Sequence, residues 1–205
     1  MFAIVRGLAG PGWLAAVLAV GAAIVITRAL HEDGLADTAD GLGPHALEPA
    51  RRLEIMRDSR NGTFGVLALA LSVLIKVACL AQFSGATGLV VLIGAHALSR
   101  AVIAYPLLAF SPVHTDGLGA ADRQADRQRR LAHHRARRRA RLPAAAGQGL
   151  LRRPPGAARR HGGGVGAPSH WIANRIGGYT GDTLGAVQQK AEIAFLVVAA
   201  LFIGR

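Results

Sequence analysis

Four stretches of this chain are apolar for long enough to enter a lipid bilayer: residues 13–27, 64–83, 89–110 and 184–203. The hydrocarbon core of a bilayer takes about 20 mainly apolar residues of helix. Inside it, every backbone N–H and C=O must find its partner within the protein. Together these demands predict an all-α fold, a polytopic transmembrane helix bundle with about four visible spans. The first run is short, yet it lacks the basic start and small-residue cleavage site of a signal peptide. It leads without a break into an acidic stretch and reads as a retained helix, with a further helix expected upstream of it.

Charge is distributed unevenly along the chain. The formal net charge is +12, but residues 120–165 hold thirteen of the 24 basic residues and only Asp122 and Asp126 of the 12 acids. The remainder is close to neutral, so the basicity describes one segment and not the protein. Cys79, the single cysteine, lies in an apolar run. There it acts as a small hydrophobe and can form no internal disulfide.

If each apolar run crosses once, the loops at 31–63 and 111–183 share one side of the membrane. Only the turn at 84–87 and the termini lie on the other. Arg28, Arg51, Arg52, Arg57 and Arg60 flank the first loop, which by the positive-inside rule makes that side the cytoplasm. The expected location is therefore the cell inner membrane, with the polar motifs on its cytoplasmic face. In this reading all twelve acids fall outside the apolar cores or at their edges.

Three polar clusters on that face could carry chemistry. In the first, His31 and Glu32 precede Asp33, Asp37 and Asp40. On a helix these three aspartates stand at i, i+4 and i+7, so they share one face and repel one another. Gly34 and Gly41 form a parallel stripe that admits another backbone or a ligand. Either the stretch is a solvated acidic turn, or it holds a cation. Mg²⁺ is the natural one, because it takes hard oxygen ligands and joins carboxylates to substrate phosphates.

The second cluster, residues 57–65, places Arg57 and Arg60 around Asp58 ahead of Gly62 and Gly65. Arginine forks match phosphate oxygens, and Asp58 could complete a metal shell. The alternative is a basic juxtamembrane loop with Ser59 or Asn61 as an N-cap. The third cluster, residues 174–185, brings Gly178, Thr180 and Asp182 just before the last apolar run. Backbone N–H groups at such a helix start can receive a phosphate, with Asp182 either a metal ligand or an N-cap. Within the apolar runs, Arg100 and His96 share a face of the third. Arg100 either reaches toward substrate phosphate, snorkels or pairs with a neighbour; Lys76 in the second run raises the same question.

The strings His31-Glu-Asp-Gly-Leu-Ala-Asp-Thr-Ala-Asp-Gly-Leu-Gly43, Ile55-Met-Arg-Asp-Ser-Arg-Asn-Gly-Thr-Phe-Gly65 and Gly177-Gly-Tyr-Thr-Gly-Asp-Thr-Leu-Gly-Ala186 resemble those of the cobalamin synthase family. Members are also called adenosylcobinamide-GDP ribazoletransferases. Asp116-Gly-Leu-Gly119 is similar to a further element, and the likeness covers residues 13–119 and 171–204 in order. The resemblance implies a Mg²⁺-dependent membrane enzyme of late adenosylcobalamin assembly. It would act on adenosylcobinamide-GDP and α-ribazole or its 5′-phosphate, release GMP, and work beside other late cobalamin-assembly enzymes. Applied residue by residue, it implies Asp33, Asp37 and Asp40 as metal ligands, with Asp58 and Asp182 as further ones. Arg57 and Arg60 become phosphate clamps, His31 a positioning or proton-transfer group, and Gly178 and Thr180 part of the substrate site.

The likeness divides the chain into a membrane domain at 1–119, an aberrant Arg-rich segment at 120–170, and a glycine-rich motif with the last transmembrane helix at 171–205. Where the family has apolar sequence, residues 120–165 are rich in Arg, Ala, Gly, Pro and His. That bias is what a GC-rich gene yields out of frame, and two compensating frameshifts would produce it. As a real segment it is expected to be a disordered basic loop that attracts anionic membrane lipid at about 1 kcal/mol per basic residue. Nucleic acid is not an expected partner, since the segment has no aromatic residue for stacking. Two other classes compete. A CDP-alcohol phosphotransferase-like enzyme also holds metal on membrane aspartates, but its Ala-Arg pair and long gap are missing from 33–41. A divalent-cation transporter predicts carboxylates in mid-span.

Overall fold

The apolar runs fold as helices, and most of the polar motifs fold as helices between them. The computed structural model describes residues 11–43, 47–113 and 166–204, and all of these belong to one compact unit. In chain order the helices are α1 (Gly12–Thr27), α2 (Leu30–Leu42), α3 (Pro49–Arg57), α4 (Thr63–Leu80), α5 (Gly85–Val102), α6 (Ala104–Ala109), α7 (Gly166–Ile176) and α8 (Gly181–Ile203). One β-bridge, Pro112 with Tyr179, is the sole extended pairing among the described residues. The Arg-rich segment 120–165 and the Asp116–Gly119 motif lie outside the described residues.

Three stretches are long and apolar enough to cross a bilayer: Thr63–Leu80, Gly85–Ala109 and Gly181–Ile203. The first apolar run, expected to span alone, does not reach that length. Helix α1 has 16 residues, about 24 Å at 1.5 Å per residue. It qualifies only together with α2, from which it is bent by 88°. The cause is local. Arg28 and Ala29 both take left-handed backbone angles, with φ of 54° and 56°, which costs a residue with a Cβ roughly 1–2 kcal/mol. Their N–H groups close the helix on Val25 and Ile24 carbonyls, and the chain leaves in a new direction.

Helix α2 is therefore not a loop outside the bundle but the second half of a bent pair with α1. It is a polar helix laid against α4 and α8 beside their N-terminal ends. Small residues make this possible, as helix contacts in lipid rely on close backbone approach more than on apolar side chains. Gly34 and Gly185 face each other across α2 and α8. Gly65 of α4 admits the Asp40 side chain and the Ala36 carbonyl of α2.

Away from this polar end, small side chains again set the contacts. Ala15, Ala16 and Ala19 of α1 share one buried apolar cluster with Leu80 and Phe83 near the end of α4 and with Leu196 and Ala199 of α8. The opposite helix faces carry Leu74, Val90 and Phe202, exposed by 64%, 70% and 80%, as a lipid-facing surface requires.

One expectation fails within α8. Glu192 was placed at the edge of an apolar run, yet it is the twelfth residue of a 23-residue membrane-length helix and only 4% exposed. It survives there because Lys76 of α4, also buried, lies 3.2 Å away. A carboxylate in apolar surroundings needs such a partner.

Candidate active site

Two motifs separated by some 140 residues meet backbone to backbone. A Cβ placed on Gly34 would stand 2.6 Å from the carbonyl oxygen of Asp182 and 2.9 Å from its Cα. One placed on Gly185 would stand 3.2 Å from the His31 carbonyl. The sequence folds this way because both helices present glycine where they cross. Thr180 fixes the start of α8: its hydroxyl accepts from the Thr183 N–H at 3.2 Å, and the Thr183 hydroxyl accepts from the Thr180 N–H at 2.8 Å. The N-cap is thus Thr180, not Asp182, which sits in the first turn.

The consequence is a shared acidic patch. Asp37 feels Asp33, Asp182 and Asp40, and its carboxyl is pushed up to about 6 by desolvation first and by those three carboxylates next. Asp33 is exposed, while Asp37 and Asp182 are half-buried. Asp40 behaves differently. It is 8% exposed, and its two oxygens accept the Gly62 N–H at 2.7 Å and the Gly65 N–H at 2.9 Å. Advancing 100° per residue puts Asp40 on the edge of the aspartate face nearest Ala36 and Glu32, the stripe that meets α4. Its carboxylate ties the start of α4 to the end of α2. Among the described residues, no group of three or more His, Cys, Asp or Glu could hold a metal ion jointly.

The remaining sequence-derived residues sort by position. His31 opens α2 and is half-buried; burial, then the Arg100 guanidinium, hold its imidazole below the usual value. Arg57 is exposed at the end of α3. Arg60 pairs with Asp58 through three contacts of 2.7–3.2 Å. Those bonds, with the Arg60 N–H, hold the Asp58 carboxyl down at about 2. Asp58 is therefore turned to its neighbour and not to the Asp33–Asp37 patch. Gly178 faces the Ser111 carbonyl, and Tyr179 bonds Ser111 and Val113 across the bridge. This glycine makes room for a backbone crossing.

Sequence reading missed Gln188, Gln189 and Glu192, which are buried and bonded to one another or to Glu32 and Ser99. Their signal was present: with Lys190, they make four polar residues in the five positions 188–192 inside an apolar run.

Membrane-length helices around a polar patch built from two distant motifs define an integral-membrane protein of the polytopic helical class. Comparison with known proteins gives the family. The chain belongs to the CobS family, cobalamin-5-phosphate synthase, whose sequence profile matches residues 1–200. Three curated relatives each bear the name adenosylcobinamide-GDP ribazoletransferase. The one from Mesorhizobium japonicum is 41% identical over 198 residues, covering 91% of this chain and 70% of its own. That from Azorhizobium caulinodans is 43% identical, covering 91% and 72%. The Allorhizobium ampelinum protein is 38% identical, covering 98% and 78%. No solved structure shows a significant match.

Proposed function

We propose that this chain is a Mg²⁺-dependent adenosylcobinamide-GDP ribazoletransferase of the inner membrane, with its active site on the cytoplasmic face. The observation that carries the reading is the contact of Gly34 with the Asp182 backbone. It brings the first and third family motifs into one acidic patch. Family membership and the relatives' shared name support the activity. Arg51, Arg57 and Arg60, exposed around the start of α4, support the cytoplasmic assignment.

The donor set suits the proposed metal. Asp33, Asp37 and Asp182 offer hard oxygens whose mutual repulsion a divalent cation would relieve. Mg²⁺ commonly binds through one or two carboxylates, waters and substrate phosphate, without a full protein cage, which agrees with a patch that closes no three-residue cluster. When bound, the ion would offset charge on the diphosphate as it is cleaved.

The chain's own residues supply the rest. Asp33 and Asp37 would hold the cation that receives the diphosphate, and so fix its place. Arg57, and Arg60 once its fork exchanges the Asp58 carboxylate for phosphate, hold phosphate oxygens by forked N–H donors. The hydroxyl of α-ribazole, or of its 5′-phosphate, forms a bond to the phosphorus nearer cobinamide, and the bond from that phosphorus to the bridging oxygen breaks. GMP leaves with that oxygen. The hydroxyl proton is lost to solvent water, because His31 lies about 160° round α2 from Asp33 and lines an internal cavity with Lys76, His96, Arg100 and Glu192. Membrane lipid surrounds the bundle, and other late cobalamin-assembly enzymes are the expected neighbours.

The reading is tested by expressing the chain in a strain lacking the ribazole-transfer step. Growth that depends on this step should return with the wild type and fail with Asp37→Asn. Equal rescue by both would remove Asp37 from the site.

A further inference from the structure

A second polar cluster lies inside the bundle, beyond the acidic patch. The Lys76 ammonium of α4 stands 3.5 Å from Glu32 Oε1 of α2 and 3.2 Å from Glu192 Oε1 of α8. Gln189 Nε2 donates to Glu32 Oε1 at 3.0 Å, and Gln188 Nε2 donates to Glu192 Oε2 at 2.7 Å. Gln188 also reaches Ser99 of α5 at 2.9 Å. Lys76, Glu32, Glu192 and both glutamines are each at most 8% exposed. Polar groups at membrane depth are costly and persist where they hold a structure or a site together.

The cluster bears directly on α2. That helix has no side-chain N-cap bond, and it enters through the strained Arg28–Ala29 turn. Its buried stripe is Glu32, Ala36 and Asp40, spaced by four residues. The two ends of the stripe are the charged ones: Glu32 is held by Lys76 and Gln189, Asp40 by the Gly62 and Gly65 amides. The neighbouring stripe is Asp33 and Asp37. Rotating α2 by one residue, about 100°, would carry both aspartates off the Asp182 side.

We propose that the Glu32–Lys76–Glu192 cluster sets the rotation of α2 about its own axis and so keeps Asp33 and Asp37 toward Asp182. Glu32 and Lys76 are positioning residues that touch no reacting group. The catalytic consequence rests on the metal-dependent reading above; the anchoring does not.

Glu32→Ala tests this in the full chain in detergent. It leaves Lys76 facing Glu192 as a one-to-one pair, so no carboxylate is stranded. By contrast, Lys76→Met would leave buried Glu32 without a cation and Glu192 with His96 alone, 3.7 Å away, and the protein should fail to accumulate. Amide hydrogen exchange in α2 of Glu32→Ala should quicken at least about tenfold, with α5 unchanged. The Mg²⁺ concentration for half-maximal activity should rise about tenfold, with kcat at saturation changed far less. Glu32→Gln, which keeps an acceptor for Gln189, should restore both values to within about threefold of wild type. Unchanged exchange in α2, or a rise shared equally by α4, α5 and α8, would overturn the proposal. If the wild type shows no metal dependence, the metal reading fails while the exchange result still decides the anchoring.

Discussion

Gly34 of α2 lies directly against the backbone of Asp182 in α8, so close that a Cβ would stand 2.6 Å from the Asp182 carbonyl oxygen. The obstacle is backbone, which cannot rotate aside. Gly34→Ala should therefore force α2 and α8 apart. The strain, roughly 1–3 kcal/mol for an overpacked contact, outweighs the gain of about 1 kcal/mol from helix propensity. Transferase activity should fall at least tenfold, roughly, as for ligands misplaced by an ångström. Gly21→Ala in α1, where a Cβ meets nothing within 4 Å, should leave activity unchanged and raise the thermal midpoint slightly, by up to about 1 kcal/mol of helix propensity. Thermal midpoints in detergent and GMP release measure the pair.

The aspartates of α2 should separate by property. Asp40→Ala strands the Gly62 and Gly65 amides, each of which bonds a carboxylate oxygen. It should cost roughly 3 kcal/mol of stability, seen as a lowered unfolding midpoint. Asp37→Asn should hold or raise that midpoint at neutral pH, since it removes a charge that burial and three carboxylates disfavour, and should cut turnover by about a hundredfold or more. Matching losses of stability in both variants would refute the division.

The raised carboxyl of Asp37 gives a pH signature. Its value in the folded protein, about 6, exceeds the ordinary 3.8, so the folded chain holds this proton more tightly than the unfolded chain. The stability it contributes is full below 3.8 and is lost as pH climbs toward 6. A metal competes for the same oxygens. Apparent Mg²⁺ affinity should weaken by up to about tenfold per pH unit below 6 and level off above it. Titrations at several pH values check this. Asp37→Asn should flatten the profile.

Much of the fold was legible because apolar run length and backbone satisfaction leave few choices in lipid. The three longer runs became membrane-length helices close to where they were read. The first did not span alone, since the Arg28–Ala29 turn depends on tertiary placement and no glycine marks it. The 33, 37, 40 spacing located one helix face but not its neighbours. Asp40 had the same residue type and period as Asp33, and only the arrival of Gly62 and Gly65 shows that its carboxylate bonds backbone. The position of Glu192 in the middle of the run at 184–203 was legible; its pairing with Lys76, 116 residues away, was not, because sequence pattern carries no contact information at that separation.

The central claim is that aspartates of α2, brought to Asp182, support metal-dependent transfer from a nucleotide diphosphate. Its most direct test is GMP release by the purified chain in lipid, given adenosylcobinamide-GDP and α-ribazole, before and after chelation. The account predicts release that stops on chelation, returns with Mg²⁺, and is absent in Asp37→Asn at every Mg²⁺ concentration. Undiminished release after exhaustive chelation, or wild-type release by Asp37→Asn, would contradict it.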